Sequence, residues 1–198
     1  MKIGIDFDNT IACYDGVFYK AAIDQGLIPV DLPKTKNSVR DYLNKNNLKD
    51  SFTELQGYIY GQRMDLAKPY DDFQAFIFAA LNSDHDLYIV SHKTRFPILG
   101  PRYDLHDSAI GFLRDHFLVS ESGIAIGNVY FEETKDKKID RINALNIDVF
   151  IDDLPEILEM KNFSDACRKI LFDPHENHSA NRACERFCSW HSIKEALL

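Results

Sequence analysis

Short apolar runs alternate with stretches of helical periodicity along most of the chain, which predicts an α/β protein built around a parallel sheet. Strands are expected at residues 2–7, 87–90, 148–151 and 168–172, with a further one at 128–131. Helices are expected at 72–81, 107–116, 139–145 and 154–161. A terminal helix is expected around Trp190, Ile193, Ala196 and Leu197. In the helix before the second strand, Phe73, Phe76, Ile77, Ala80 and Leu81 share one face, with Asp71 or Asp72 as its N-cap.

Residues 13–68 break this alternation. A helix is expected at 17–25, then a loop with Pro29 and Pro33, then helices starting near Ser38 and at Ser51. Ser51-Phe52-Thr53-Glu54 has the reciprocal capping pattern of a helix start. The expected organisation is an α/β core of residues 1–12 and 69–198, interrupted after its first strand by a small helical insertion of residues 13–68.

Composition narrows the function. With 198 residues, 45% of them hydrophobic, the chain can bury a substantial core. No run approaches the roughly 18 apolar residues of a membrane span. Residue 1 leads directly into strand-like sequence with no basic segment before an apolar run, so a cytoplasmic location and no membrane partner are expected. The net charge of −8 weighs against a nucleic-acid polymer as partner. It leaves a small phosphorylated metabolite open, because local cations and a metal override the global sign. Cys13, Cys167, Cys184 and Cys188 are too few and scattered for a disulfide scaffold.

Four features fall where expected strands end, the side on which open parallel sheets bind ligands. Asp6-Phe7-Asp8-Asn9-Thr10 puts two carboxylates one residue apart, a costly pairing unless a cation or proton offsets it. Such hard oxygen ligands suit Mg²⁺, although Asp and Asn are also ordinary turn residues. Ile151-Asp152-Asp153 repeats the theme; one Asp there would serve as a helix cap, whereas two adjacent ones exceed that need. Val90-Ser91-His92-Lys93-Thr94 offers a hydroxyl and backbone N–H groups suited to phosphate oxygens, a weak signal alone. Lys135, Lys137 and Lys138 open the helix before the Asp-Asp strand; most such lysines are solvated, but one turned inward would neutralise the acids and a phosphate.

In this order the four features resemble the signature motifs of the haloacid dehalogenase (HAD) superfamily, over residues 1 to about 172. Asp6-x-Asp8-x-Thr10 matches the first motif, Ser91 the second and Asp152-Asp153 the fourth. Lys138 is the choice for the third, with Lys135 as the alternative; the segment from Lys138 to Asp153 looks like the deoxyribonucleotidase branch. The resemblance implies a Rossmann-like parallel-sheet core, with the insertion as a small helical cap carrying Tyr14, Tyr58, Tyr60, Gln62 and Arg63. Arg63 is the best substrate contact among these, while Tyr58 and Tyr60 suit a core role better.

The resemblance further implies a Mg²⁺-dependent phosphomonoester hydrolase acting on a nucleotide or sugar phosphate. Asp6 would be the nucleophile that becomes an aspartyl-phosphate, and Asp8 the general acid and then base. Mg²⁺ would be held by Asp6, the Asp8 backbone carbonyl, Asp152 and Asp153; Ser91, Lys138 and Thr10 would bind phosphate. Dehalogenases of the superfamily lack the second aspartate, so Asp8 favours phosphate chemistry. A phosphomutase, a non-catalytic binding module of the same fold and a phosphoacceptor receiver domain are the competing readings. The arginines of the 94–104 loop have no assigned role, and His178, Cys184, Cys188 and His191 mimic a zinc site without matching a strong zinc signature.

Overall fold

The computed structural model describes residues 1–179 and 184–198. The first half contains β1 (Lys2–Ile5), β2 (Ala12–Cys13), α1 (Val17–Asp24), α2 (Lys36–Lys45), α3 (Lys49–Gln62), β3 (Lys68–Pro69), α4 (Phe73–Asn82) and β4 (Asp86–His92). The second contains α5 (Leu105–Asp115), β5 (Val129–Glu132), α6 (Lys135–Ala144), β6 (Val149–Asp152), α7 (Pro155–Leu158), β7 (Arg168–Phe172), β8 (Glu185–Phe187) and α8 (Trp190–Leu197).

Six strands form one parallel sheet in the order β5-β4-β1-β6-β7-β8. The chain builds outward from β1 to one edge, then returns to build the other half, which is the doubly wound arrangement. The strand order reverses beside β1, and Asp6 and Asp152 lie at the carboxyl ends of the two strands that meet there.

Strand alternation assigns the two faces. Gly4 pairs in register with Phe150, and a Cβ on Gly4 would lie 2.6 Å from the Phe150 ring. Glycine therefore makes room for that ring, which packs with Ile139, Ile142, Ile147, Ile157, Leu158 and Phe163. On the other face Trp190 is fully buried, its ring centroid 4.6 Å from Phe73, 4.9 Å from Phe76 and 5.4 Å from Phe172. Its indole N–H donates to the Thr10 carbonyl at 3.0 Å, so α8 is tied to the loop that follows β1.

The chain divides into two compact units, one of Met1–Ala12, Pro69–Lys93 and Arg114–Leu198, the other of Cys13–Lys68 with Thr94–Leu113. In the second unit Phe18, Phe52, Tyr14 and Tyr60 pack among α1, α2 and α3. Residues 94–113, expected with the core, cluster instead with the insertion, and α3 shows why. Gly57 and Gly61 lie one turn apart on that helix, where two glycines cost about 1 kcal/mol each. A Cβ on Gly57 would lie 2.6 Å from Pro97, and one on Gly61 would collide with Tyr103. The missing side chains form the groove that receives the 94–113 segment, and the Ser108 hydroxyl donates to the Gly61 carbonyl at 2.6 Å.

Several local expectations need correction. α2 starts after Thr35, whose hydroxyl accepts from the Ser38 N–H at 3.1 Å, so Ser38 is inside the helix. α3 starts at Lys49 with Leu48 as N-cap, which places Ser51 in the first turn and leaves the Ser-x-x-Glu pattern without a capping role. Asp72 does precede α4, but its left-handed backbone makes no side-chain cap bond. β8 went unanticipated because Glu185-Arg186-Phe187 has no apolar run. None of the helices in the described residues is long and apolar enough to cross a membrane.

Because Trp190 joins two helices and a strand in one cluster, Trp190→Ala is expected to cost about 3–5 kcal/mol of stability. Urea denaturation followed by circular dichroism measures this; a loss below about 1 kcal/mol would contradict the packing described.

Candidate active site

The loop after β1 is pinned by its own backbone. Ile11 and Ala12 N–H groups both donate to the Phe7 carbonyl, and Asn9 takes a left-handed conformation at φ 56° while its N–H donates to Ala12. The turn chemistry of Asp and Asn is thus real, but it coexists with a charge arrangement that a turn does not require.

Alternation points the Asp6 and Asp152 side chains to the same sheet face as Gly4 and Phe150, beneath α6. There the Lys138 ammonium donates to Asp6 Oδ1 at 2.5 Å and to Asp152 Oδ2 at 2.6 Å. It also sits 5.4 Å from the Phe150 ring centroid. All three charged groups are buried. Asp152 uses its other oxygen to accept the Leu154 N–H at 2.9 Å. The N-cap of α7 is Leu154, so neither aspartate is needed as the helix cap.

Asp6, Asp152 and Asp153 offer oxygens within 4.8 Å of one another, close enough to share a cation. The described residues contain no other such grouping, and His178, Cys184, Cys188 and His191 are not gathered into one. Three carboxylates against one ammonium leave excess negative charge in a largely buried site. Burial pushes the Asp6 carboxyl up to about 6, against the pull of Lys138 and reinforced by Asp152. Burial likewise raises Asp153 well above the usual carboxylate range, with Asp152 and Asp6 adding to the effect. For Lys138, burial opposes the charge, but Asp152 and Asp6 outweigh it and hold the ammonium above the ordinary lysine range.

Of the two lysines left open by the sequence, Lys135 is turned outward to Glu156 at 2.5 Å, and Lys138 is the one inside. Ser91 is buried near the end of β4, and Thr10 is fully buried with a hydroxyl that finds no hydrogen-bond partner among the described residues. The Asp8 carboxylate lies outside the acidic trio and is gripped by Lys93, whose ammonium donates at 2.7 and 3.0 Å. Sequence reasoning counted Lys93 only as a neighbour of Ser91. The available signal was a lysine immediately beyond an apolar strand adjacent to the one carrying Asp6 and Asp8.

The candidate substrate contacts of the insertion are engaged within their own unit. Tyr14 donates to Met64 Sδ at 3.4 Å, Tyr60 accepts from Lys36 at 3.0 Å and Gln62 accepts from Tyr103 at 2.9 Å. Arg63 pairs with Asp65 at 3.0 Å and Asp24 at 3.7 Å, and also reaches the Tyr58 hydroxyl at 3.4 Å.

No protein-family model and no curated protein sequence matches the chain. Solved structures do. A candidate phosphatase from Clostridium difficile aligns over 100% of this chain and 98% of its own, at TM-score 0.62 and 12% identity. A HAD hydrolase of family IA, variant 3, from Entamoeba histolytica aligns over 97% of this chain and 94% of its own, at TM-score 0.60 and 12% identity. The chain has the HAD fold. A third neighbour, the candidate HAD hydrolase YfnB from Bacillus subtilis, was solved with magnesium bound; the alignment covers 99% of this chain and 97% of that one, at TM-score 0.55 and 12% identity. At these identities the likeness establishes the HAD architecture, while the case for chemistry rests on the side chains above.

A carboxyl raised by folding binds its proton more tightly in the folded state, so its cost is absent below about pH 4 and grows as pH rises through the folded value. Asp153→Asn should therefore raise the melting temperature of the metal-free protein at pH 8 by about 2–4 °C, and by much less at pH 4. Thermal denaturation at both pH values, in chelator, checks the sign.

Proposed function

We propose that the chain is a magnesium-dependent phosphomonoester hydrolase that works through an aspartyl-phosphate on Asp6 and accepts a small phosphorylated metabolite, a nucleotide or a sugar phosphate. The observation that carries this reading is the buried Asp6–Lys138–Asp152 arrangement with Asp153 beside it, at the point where the strand order reverses. A fold needs no such cluster, since replacing buried ion pairs by apolar groups is often neutral or stabilising. Phosphoryl transfer does need it, because its catalysis is chiefly positioning and electrostatic stabilisation.

In the first step an Asp6 carboxylate oxygen bonds to phosphorus as the bond to the leaving oxygen breaks, and Asp8 gives that oxygen a proton. In the second, water attacks the phosphorus, passes its proton to Asp8 and releases inorganic phosphate with Asp6 restored. Lys138 opposes the charge on the transferring oxygens, and Ser91 donates a hydrogen bond to them. Thr10 supports this assignment: a fully buried hydroxyl with no partner among the described residues is costly, and a phosphate oxygen would satisfy it.

The donor set fits a hard cation. Asp153 takes no hydrogen bond from the described residues, whereas Asp152 has both oxygens engaged, so Asp153 is the freer ligand. Asp6, Asp152 and the Asp8 carbonyl would complete the protein's share. Bound magnesium would supply the positive charge that the excess of carboxylates lacks and would draw the phosphate toward Asp6. That a neighbour of the same fold holds magnesium supports the assignment.

Phosphate release from p-nitrophenyl phosphate and from a panel of nucleotide and sugar phosphates is expected to require Mg²⁺, to stop with EDTA and to vanish in Asp6→Asn. Undiminished release by Asp6→Asn would remove Asp6 as the nucleophile. Dependence on a bisphosphate activator without net phosphate release would replace hydrolysis with a mutase reaction.

A further inference from the structure

Lys93 is almost completely buried, yet its ammonium makes two hydrogen bonds to a carboxylate that is itself partly exposed. Its backbone is fixed as well: the Lys93 N–H donates to the Glu132 carbonyl at 2.9 Å, extending the β4–β5 pairing one residue past the strand. The methylene stem brings the ammonium to 5.3 Å from the Phe7 ring centroid, between the two aspartates in sequence. Burying a lysine is costly, and a neutral side chain at a strand exit would serve the fold at least as well.

From this geometry we infer that Lys93 is a positioning residue for Asp8: in the protonated form one Asp8 oxygen keeps the Lys93 hydrogen bond while the other carries the proton to the leaving oxygen, and the carboxylate left behind is the doubly hydrogen-bonded form seen here. The role rests on the phosphomonoesterase reading above. Asp8 stands two residues from Asp6, on a loop whose backbone is already fixed by the Phe7 carbonyl. What the backbone leaves undetermined is the direction of the side chain. Repulsion from Asp6, Asp152 and Asp153 would otherwise send a partly exposed carboxylate toward solvent. Two hydrogen bonds to one ammonium fix both oxygens, and the rigid placement of the donor transmits that fix to the reacting geometry. Lys138 and Lys93 thus divide the labour: one ammonium serves the nucleophile and the metal ligands, the other serves the acid.

Such a clamp matters in proportion to how badly the leaving group needs a proton. An alkyl phosphate expels a basic alkoxide and depends on Asp8; p-nitrophenyl phosphate expels an acidic phenol and depends on it little. The test measures kcat/KM, which reports the steps through leaving-group departure, for both esters with saturating Mg²⁺. The proteins are wild type, Lys93→Met, Lys93→Gln, Asp8→Asn and the Asp8→Asn, Lys93→Met double variant. Lys93→Met is expected to lower kcat/KM about 100-fold or more on the alkyl ester and about 10-fold or less on the aryl ester, in line with the loss of general acid catalysis. Lys93→Gln, which keeps an N–H donor, should fall between wild type and Lys93→Met. Adding Lys93→Met to Asp8→Asn should change neither ester further, since the partner is already gone.

Equal losses on the two esters, or full additivity with Asp8→Asn, would overturn the role and make Lys93 a phosphate ligand or a purely structural residue. A folded wild type inactive on both esters would overturn the phosphomonoesterase reading and this role together, so the two failures are told apart by the wild type alone.

Discussion

The Lys138 ammonium between Asp6 and Asp152 is the interaction around which the rest of the core is arranged. Two carboxylates at adjacent strand ends, both buried, repel one another with little water to screen them. Removing the ammonium would leave them unpaired, and breaking a buried ion pair costs about 3–5 kcal/mol. Lys138 can stand there because α6 packs on that face of the sheet and because the Phe150 ring lies 5.4 Å from its ammonium. Phe150 in turn can lie where it does because Gly4 has no side chain. A glycine in β1, an aromatic ring in β6 and a lysine in α6 are therefore one mechanical unit that presents two strand-end carboxylates to a single cation.

The same core carries a deliberate imbalance. Asp153 adds a third carboxylate that the single ammonium cannot neutralise, and burial raises both it and Asp6 against ionisation. A protein selected only for stability has no use for this. Under the proposed chemistry the cost has a use, since a divalent cation would meet oxygen ligands already gathered and a phosphate would meet an ammonium and a hydroxyl with no partner among the described residues. Asp8 follows a separate electrostatic arrangement, with its own lysine, so Asp6 and Asp8 are held by different cations.

The second unit obeys a different logic. Its helices are held by an aromatic cluster and by intra-unit pairs such as Arg63 with Asp65 and Asp24. The glycines of α3 weaken the isolated helix but open a groove for Pro97 and Tyr103, so helix propensity is exchanged for tertiary packing. That exchange joins the insertion to a stretch of chain far away in sequence, which is why the unit is larger than residues 13–68.

By itself the sequence determined the parallel α/β architecture, the interruption after the first strand and the acidic pairs at Asp6–Asp8 and Asp152–Asp153. These are legible because strand and helix periodicity are local, and because like charges crowded at an apolar strand end are conspicuous in one dimension. The separation of Lys138 from Lys135 was not legible: both lie in the first turn of α6, and only the packing of that helix on the sheet decides which is buried. Nor was the pairing of Lys93 with Asp8, whose partners are 85 residues apart and meet only because β4 lies beside β1. Strand β8 and the recruitment of residues 94–113 by α3 were hidden for the same reason. Local patterns record what each segment prefers; which charges meet depends on strand order and helix packing, and those belong to the folded chain.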